Sequence, residues 1–188
     1  MGRLIVFNSI TLDGYFADAQ NDMRWAYNSI QDEEWNNYVN GNASGGGILM
    51  FGRVTFELMR SYWPTPAAMK SSPVVAQRMN AARKVVFSKT LKSPGWDNTR
   101  VISTNIADEV RKMKAAPDEG MAILGSGSIV AQLTEERLID EYQFVVTPFV
   151  LGSGKSMFAG ISRTLALEHM STRTFKNGNV VITYQSSA

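Results

Sequence analysis

At two places in this chain of 188 residues an apolar run stops at glycine and a helical pattern begins at once. The first is Phe51-Gly52-Arg53-Val54-Thr55, entered through Gly45-Gly46-Gly47-Ile48-Leu49-Met50. The second is Leu124-Gly125-Ser126-Gly127-Ser128-Ile129, entered through Met121-Ala122-Ile123. A short apolar run bounded by glycine reads as a buried strand, and a strand that feeds a helix belongs to a βαβ unit. In open α/β sheets ligands bind outside the carboxyl ends of the strands, which is where both junctions fall. The first turn of each helix carries N–H groups without acceptors and the positive end of the helix dipole, which suits an anion. Glycine there lets a phosphate approach the backbone with no Cβ in the way, or it only makes the turn tight. Two such junctions can take the two ends of one dinucleotide.

The rest of the chain repeats the strand–helix alternation. Leu4-Ile5-Val6-Phe7 opens a first strand, followed by an Asp13-Gly14 turn signal. Residues 17–30 read as a long loop and Asp32 to Asn40 as a helix with acids in its first turn. A helix is expected from Val54 to Met59, a loop across Pro64 and Pro66, and a short helix from Gln77 to Ala82. Further strands are Lys84-Val85-Val86-Phe87 and Arg100-Val101-Ile102, then an amphipathic helix from Ile106 to Ala115. A helix from Ile129 to Leu133 and a strand from Glu141 to Thr147 follow. Leu165 to Gln185 reads as a hairpin, turned at Lys176-Asn177-Gly178-Asn179. The expectation is one α/β domain over residues 1–188 with a mixed, mostly parallel sheet flanked by helices and an antiparallel C-terminal hairpin.

Composition excludes several classes of function. There is no cysteine and only one histidine, His169, so thiolate and multi-histidine metal sites are ruled out and no metal is expected. No apolar run reaches the roughly 20 residues that span a bilayer, and the N-terminal residues carry no secretory pattern; a cytoplasmic protein is expected. The net charge is +2 and the basic residues are scattered, which argues against nucleic acid as a partner and fits a small anionic ligand or an evenly solvated surface. His169, alone near the start of the hairpin, reads as structural or exposed.

Gly125-Ser126-Gly127-Ser128 is not the spaced G-x-G-x-x-G fingerprint, and no acid follows at the distance that holds a ribose, which disfavours a Rossmann domain. Arg53 after the first junction, and Ser88-Lys89 after the third apolar strand, put cationic and hydroxyl donors at the same edge. A 2′-phosphate wants such partners; Lys89 by itself reads equally as a solvated loop lysine.

Five segments together resemble the dihydrofolate-reductase-like fold, and more closely the reductase domain of riboflavin biosynthesis and its stand-alone relatives. They are residues 9–17 (Ser-Ile-Thr-Leu-Asp-Gly-Tyr-Phe-Ala), 52–57 (Gly-Arg-Val-Thr-Phe-Glu), 87–91 with Trp96-Asp97-Asn98-Thr99, 125–128, and 148–158 (Pro-Phe-Val-Leu-Gly-Ser-Gly-Lys-Ser-Met-Phe). They stand in the family's order and span almost the whole chain. The resemblance implies a three-layer fold, NADPH as hydride donor, a small heterocyclic or ribosylated substrate, and a homodimer. It maps Gly52, Arg53 and Thr55 onto the first phosphate-side turn, Ser88 and Lys89 onto the adenosine side, and Gly125, Ser126, Gly127 and Ser128 onto the pyrophosphate turn. On the substrate side it gives Asp13, Trp25, Asp32, Leu151 and Gly152, with Asp13 also the catalytic candidate.

The carboxylates have plainer readings as well. Asp13 sits beside Gly14 and reads as a turn-forming residue bonded to nearby N–H groups. Asp32 follows Met23-Arg24-Trp25 at a longer spacing than in dihydrofolate reductases and reads as a helix N-terminal charge. Residues 17–29 and 61–72 are long enough to form lids. Tyr142 to Leu151 and Val180 to Tyr184 are candidate edge strands for self-association. Two functions fit: an NADPH-dependent reductase, or a non-catalytic nucleotide-binding or scaffold protein on the same fold.

Overall fold

A computed structural model of the chain describes residues 2–26, 30–43, 47–116 and 119–187. Strand β1 (Leu4–Thr11) is followed by β2 (Tyr15–Ala17), a 3-10 turn (Arg24–Ala26), α1 (Glu33–Ala43) and β3 (Ile48–Gly52). Next come α2 (Arg53–Tyr62), α3 (Pro66–Ser71), α4 (Pro73–Ala81), β4 (Arg83–Phe87), β5 (Thr99–Ile102) and α5 (Ile106–Ala115). The chain continues with β6 (Met121–Leu124), α6 (Gly127–Glu135), β7 (Glu141–Thr147), β8 (Lys155–Ser156), β9 (Leu167–Thr174) and β10 (Val180–Ser186).

Eight strands form one sheet in the order β5-β4-β3-β6-β1-β7-β10-β9. The strands from β5 to β7 run parallel to their neighbours, whereas β10 is antiparallel to β7 and β9 antiparallel to β10. The expected mixed sheet with a C-terminal hairpin is thus present. Adjacent residues of the inner strands bury themselves on opposite faces. Met50 and Val85 join the core that contains Leu4, Val6, Ile123 and Leu133, while Phe51 and Val86 join a second core with Phe56 and Trp96. Two-sided burial is why these strands read as unbroken apolar runs.

Several expectations shift. The supposed lid at 61–72 holds the end of α2 and all of α3. Pro66 and Pro73 sit in first helical turns, where a missing N–H costs nothing, and the Thr65 hydroxyl caps Ala68 N at 3.2 Å. Reading Pro64 and Pro66 as loop markers hid α3, and the expected short helix from Gln77 to Ala82 is the second half of α4 with its C-cap, Ala82. The ribbon of β2 with β8 was not foreseen. Strands β7 and β10 are interior, so neither is an edge; the exposed edge is β9, where every residue after Leu167 is exposed. The hairpin turn holds Gly178 at φ +87 and closes with Gly178 N to Phe175 O and Phe175 N to Asn179 O, both at 3.0 Å. Gly45, Gly46 and positions 27–29 of the other supposed lid lie outside the described residues.

Candidate functional site

Because β1, β3, β4, β5, β6 and β7 are parallel, Thr11, Gly52, Phe87, Ile102, Leu124 and Thr147 all end at one edge of the sheet. The two glycine junctions meet there, since β3 and β6 are neighbours. They are bonded to each other. Gly52 N donates to Ser126 Oγ at 2.8 Å, and Ser126 N donates to Thr55 Oγ1 at 3.0 Å. The Ser126 hydroxyl donates in turn to Leu124 O at 3.1 Å.

The β6–α6 turn holds two successive left-handed residues, Gly125 (φ +59) and Ser126 (φ 60, ψ 53). A side chain in that region costs about 1–2 kcal/mol, so Ser126 depends on its three hydrogen bonds. Asn8, in β1 and 3% exposed, grips the Gly125 residue from the other side. Its Nδ2 donates to Gly125 O at 3.1 Å and its Oδ1 accepts from Gly125 N. A Cβ at Gly125 would lie 2.6 Å from Thr55 Cγ2, and one at Gly127 would lie 2.6 Å from Phe16 Cε1. The space that glycine leaves at these two positions is filled by side chains of the chain itself.

Part of each first turn reaches the surface, although Gly127 itself is buried. Gly52, the N-cap of α2, has no side chain, and Ser126, the N-cap of α6, makes no side-chain cap bond. Helical geometry gives the N–H groups of Arg53, Val54, Gly127 and Ser128 no intrahelical acceptor. Arg53, Val54 and Ser128 are exposed. Two helix N-termini side by side, without side-chain caps, make a donor set that fits a pyrophosphate.

The other candidates are placed as follows. The Arg53 guanidinium pairs with Glu57 at 2.9 Å and must leave it to reach a phosphate. Ser88 Oγ accepts from Thr90 N at 3.1 Å and Leu91 N at 2.9 Å, which shapes the loop after β4; Lys89 is exposed beside it. The Asp13 carboxylate accepts from Gly152 N at 2.7 Å and Leu151 N at 3.2 Å, so three of the substrate-side candidates are bonded to one another. These are not local turn bonds; they join the end of β1 to the loop after β7. A Thr11 side-chain hydrogen bond is the largest influence on Asp13 and lowers its pKa; desolvation opposes it, and the Gly152 and Leu151 amides lower it further. Asp13 is therefore an ionised acceptor at neutral pH.

Asp32 is buried. It accepts from Trp35 N in the first turn of α1 and from Asn177 N in the hairpin turn, both at 3.1 Å. Desolvation is the largest influence and raises its pKa, but the amides of Trp35, Asn177, Glu34 and Lys176 together outweigh it, and the net shift is downward. This is the helix N-terminal role, extended to fasten the hairpin onto α1. Trp25 is half-buried in the 3-10 turn, its Nε1 donating to Asp22 O at 3.1 Å. His169 is exposed on β9 against Thr172 and Tyr184. Among the described residues no cluster of His, Asp and Glu is arranged to hold a metal ion, and no helix is long and apolar enough to cross a membrane.

The RibD C-terminal domain model matches residues 3–181, which contain both junctions and every candidate above. The chain belongs to the RibD C-terminal domain family. It is 28% identical over 185 residues to the uncharacterized protein YyaP of Bacillus subtilis (strain 168), covering 97% of this chain and 94% of that one. Its fold is similar to that of a putative riboflavin biosynthesis protein from Shewanella sp. PV-4, with a TM-score of 0.80, 20% identity and 99% of each chain covered. It is also similar to Enterococcus faecalis dihydrofolate reductase in complex with NADP(H) and RAB-propyl, with a TM-score of 0.66, 13% identity, and 100% and 98% coverage. The expected dihydrofolate-reductase-like, reductase-type fold is therefore established for this RibD C-terminal domain.

Sequence reasoning missed Asn8 and Phe16. Asn8 did leave a signal: it takes the inward-facing position two residues after Leu4 and Val6, where the strand pattern calls for an apolar side chain. Phe16 left none, because its contact with Gly127 depends on how β2 lies across the junction.

Proposed function

We propose that this chain is an NADPH-dependent reductase of a small heterocyclic substrate, a single reductase-like domain working as a cytoplasmic homodimer. The observation that carries the reading is the pair of uncapped helix N-termini, α2 and α6, locked side by side by the Gly52–Ser126 and Ser126–Thr55 hydrogen bonds. Family membership and the likeness to an NADP(H)-bound reductase support it. In this reading Gly52, Arg53, Thr55, Gly125, Ser126, Gly127 and Ser128 form the phosphate-side walls, and Ser88 and Lys89 border the adenosine end. Arg53 leaves Glu57 to meet a 2′-phosphate.

When bound, the nicotinamide supplies the hydride. The chain's own residues hold it and order the surrounding loops. Asp13, ionised on the Leu151 and Gly152 amides, closes the β1 end over the site and holds the water that delivers the proton. Trp25, Leu151 and Gly152 border the substrate, while Asp32, buried on its two amides, acts from beneath by fixing α1 to the hairpin. A second reading, nucleotide binding without turnover, draws support from the same Asp13: held ionised by backbone amides, its carboxylate has no proton of its own to give.

The test is a fluorescence titration of the full chain with NADPH and NADH. Micromolar, saturable NADPH binding is expected, and its absence sinks the proposal. Arg53→Ala should weaken NADPH by about tenfold, the value of one lost charge-assisted contact, and NADH by less than threefold. Equal losses would remove Arg53 from the 2′-phosphate. NADPH oxidation with pyrimidine, pterin or quinone acceptors separates the reductase from the binding protein.

A further inference from the structure

We propose that Asn8 is a positioning residue for the nucleotide site, setting the direction of the α6 amides by clamping Gly125; the proposal rests on the dinucleotide reading above. Asn8 projects from the middle of β1 into the apolar core beside α6, at a position where Leu or Val would pack. Both ends of its amide engage one residue, Gly125. Nδ2 donates to Gly125 O at 3.1 Å, Oδ1 accepts from Gly125 N, and Nδ2 also lies 3.4 Å from Sδ of the buried Met157. A side-chain amide matched to the N–H and C=O of a single residue fixes that residue's two dihedrals together. Gly125 is the first of the two left-handed residues, and the N–H groups of Gly127 and Ser128 follow directly. Without the clamp, Gly125 is free to leave φ +59, because glycine has no preference for it. The α6 amides then turn with it. Ser126 and Thr55 hold the turn against α2; Asn8 holds it against the sheet.

A buried asparagine also stabilises the fold, so the test needs a readout that stability alone does not move. NADP+ affinity is measured by calorimetry for wild type, Asn8→Leu, Asn8→Asp and a control, Asn80→Leu. Asn80 bonds the Trp96 ring N–H and Trp63 O near the start of β4, at the opposite edge of the sheet. Asn8→Leu should bind NADP+ at least tenfold more weakly, while Asn80→Leu stays within twofold of wild type although it loses stability too. Asn8→Asp keeps the acceptor for Gly125 N but, when ionised, has no proton for Gly125 O. Burial raises a carboxyl pKa, so lowering the pH restores the donor. Its affinity relative to wild type should therefore recover several-fold between pH 8.5 and pH 6, whereas that of Asn8→Leu should not. This variant carries the test if Asn8→Leu does not fold. Hydrogen exchange at Ser126 N, which bonds Thr55 and not Asn8, should speed up in Asn8→Leu and not in Asn80→Leu.

Twofold or smaller loss in Asn8→Leu, an equal loss in Asn80→Leu, or a pH-independent Asn8→Asp overturns the proposal. If wild type itself fails to bind NADP+, the dinucleotide reading falls. The clamp is then decided by exchange alone: acceleration at Ser126 in Asn8→Leu but not in Asn80→Leu supports it, and unchanged exchange there overturns it.

Discussion

Gly125→Ala tests the junction most directly, because the structure fixes both parts of its cost. The residue has φ +59, and an added Cβ would meet Thr55 Cγ2 at 2.6 Å and Thr55 Oγ1 at 3.0 Å. The backbone part is about 1–2 kcal/mol, the preference of L-residues against left-handed geometry. The steric part is about 1–3 kcal/mol, typical of an overpacked core. Thr55 cannot rotate away cheaply, because its Oγ1 accepts from Ser126 N at 3.0 Å. The sum is about 2–5 kcal/mol, or a fall of about 1–2.5 M in the urea midpoint at a slope near 2 kcal/mol per M. Thr55→Ser removes Cγ2 and keeps the hydroxyl. Alone it should cost about 0.8 kcal/mol for the buried methyl. Combined with Gly125→Ala it should return the steric part and leave the backbone part, a coupling of about 1–3 kcal/mol between the two sites. Urea unfolding followed by circular dichroism on the four proteins of this cycle gives the number. Additive effects, within about 0.5 kcal/mol, would mean that Thr55 is not what fills the space at Gly125.

Two further outcomes follow from groups outside the site. Burial pushes the Lys84 ammonium from 10.5 down to about 8, against the charge of Asp97, although Nζ donates to Asn80 O, Ala82 O and Asp97 O. The unfolded chain then binds more protons between those values, so stability should rise with pH above about 8; urea midpoints at pH 7.5, 8.5 and 9.5 check this, and Lys84→Met should abolish the rise. If the proposed homodimer forms by pairing of the exposed edge strand β9, Met170→Lys should shift it to monomer in sedimentation, because a charge on an edge strand blocks strand addition. An unchanged dimer would place the interface elsewhere.

Much of the sheet was legible because its strands are buried on both faces and so stand out as apolar runs. The bounds of α5 were legible too, since Asn105 caps Ala107 N and Asp108 N and the apolar stripe runs unbroken to the end. What escaped notice depends on contacts between distant segments. The ribbon of β2 and β8 exists only because residues 15–17 meet 155–156. The junction glycines were legible as glycines, but not their reasons: Gly125 makes room for Thr55 and Gly127 for Phe16, which no local pattern encodes. Asp32 was legible as a helix-start acid, whereas the local turn bonds expected of Asp13 are replaced by bonds to a distant loop. The partners across the fold, Leu151 and Gly152 for Asp13 and Asn177 for Asp32, were not legible.

The capping pattern gives the strongest reason to read the junctions as a site and not only as tight turns. Elsewhere the chain satisfies its helix starts: Thr65 caps α3, Asn105 caps α5, Asp32 bonds the first turn of α1, and α4 begins with proline. Among the α-helices of the described residues, only α2 and α6, whose first turns adjoin across β3 and β6, start with neither a side-chain cap nor a proline. At α6 a good capping residue is present but diverted, since Ser126 is left-handed and its hydroxyl serves Gly52 N and Leu124 O. At α2 a cap would fit. Gly52 has φ −78 and ψ 161, open to any residue, and a Cβ there meets nothing closer than Ile129 Cγ1 at 3.4 Å. Gly52→Asp should therefore fold normally and change stability by only a few tenths of a kcal/mol, the usual difference between glycine and a capping acid. It would also place a carboxylate where the proposed pyrophosphate binds. If the uncapped turns are a phosphate site, NADPH affinity should fall more than tenfold while the urea midpoint hardly moves. A variant that keeps wild-type affinity would show that the amides of α2 are not ligands, whatever their arrangement suggests.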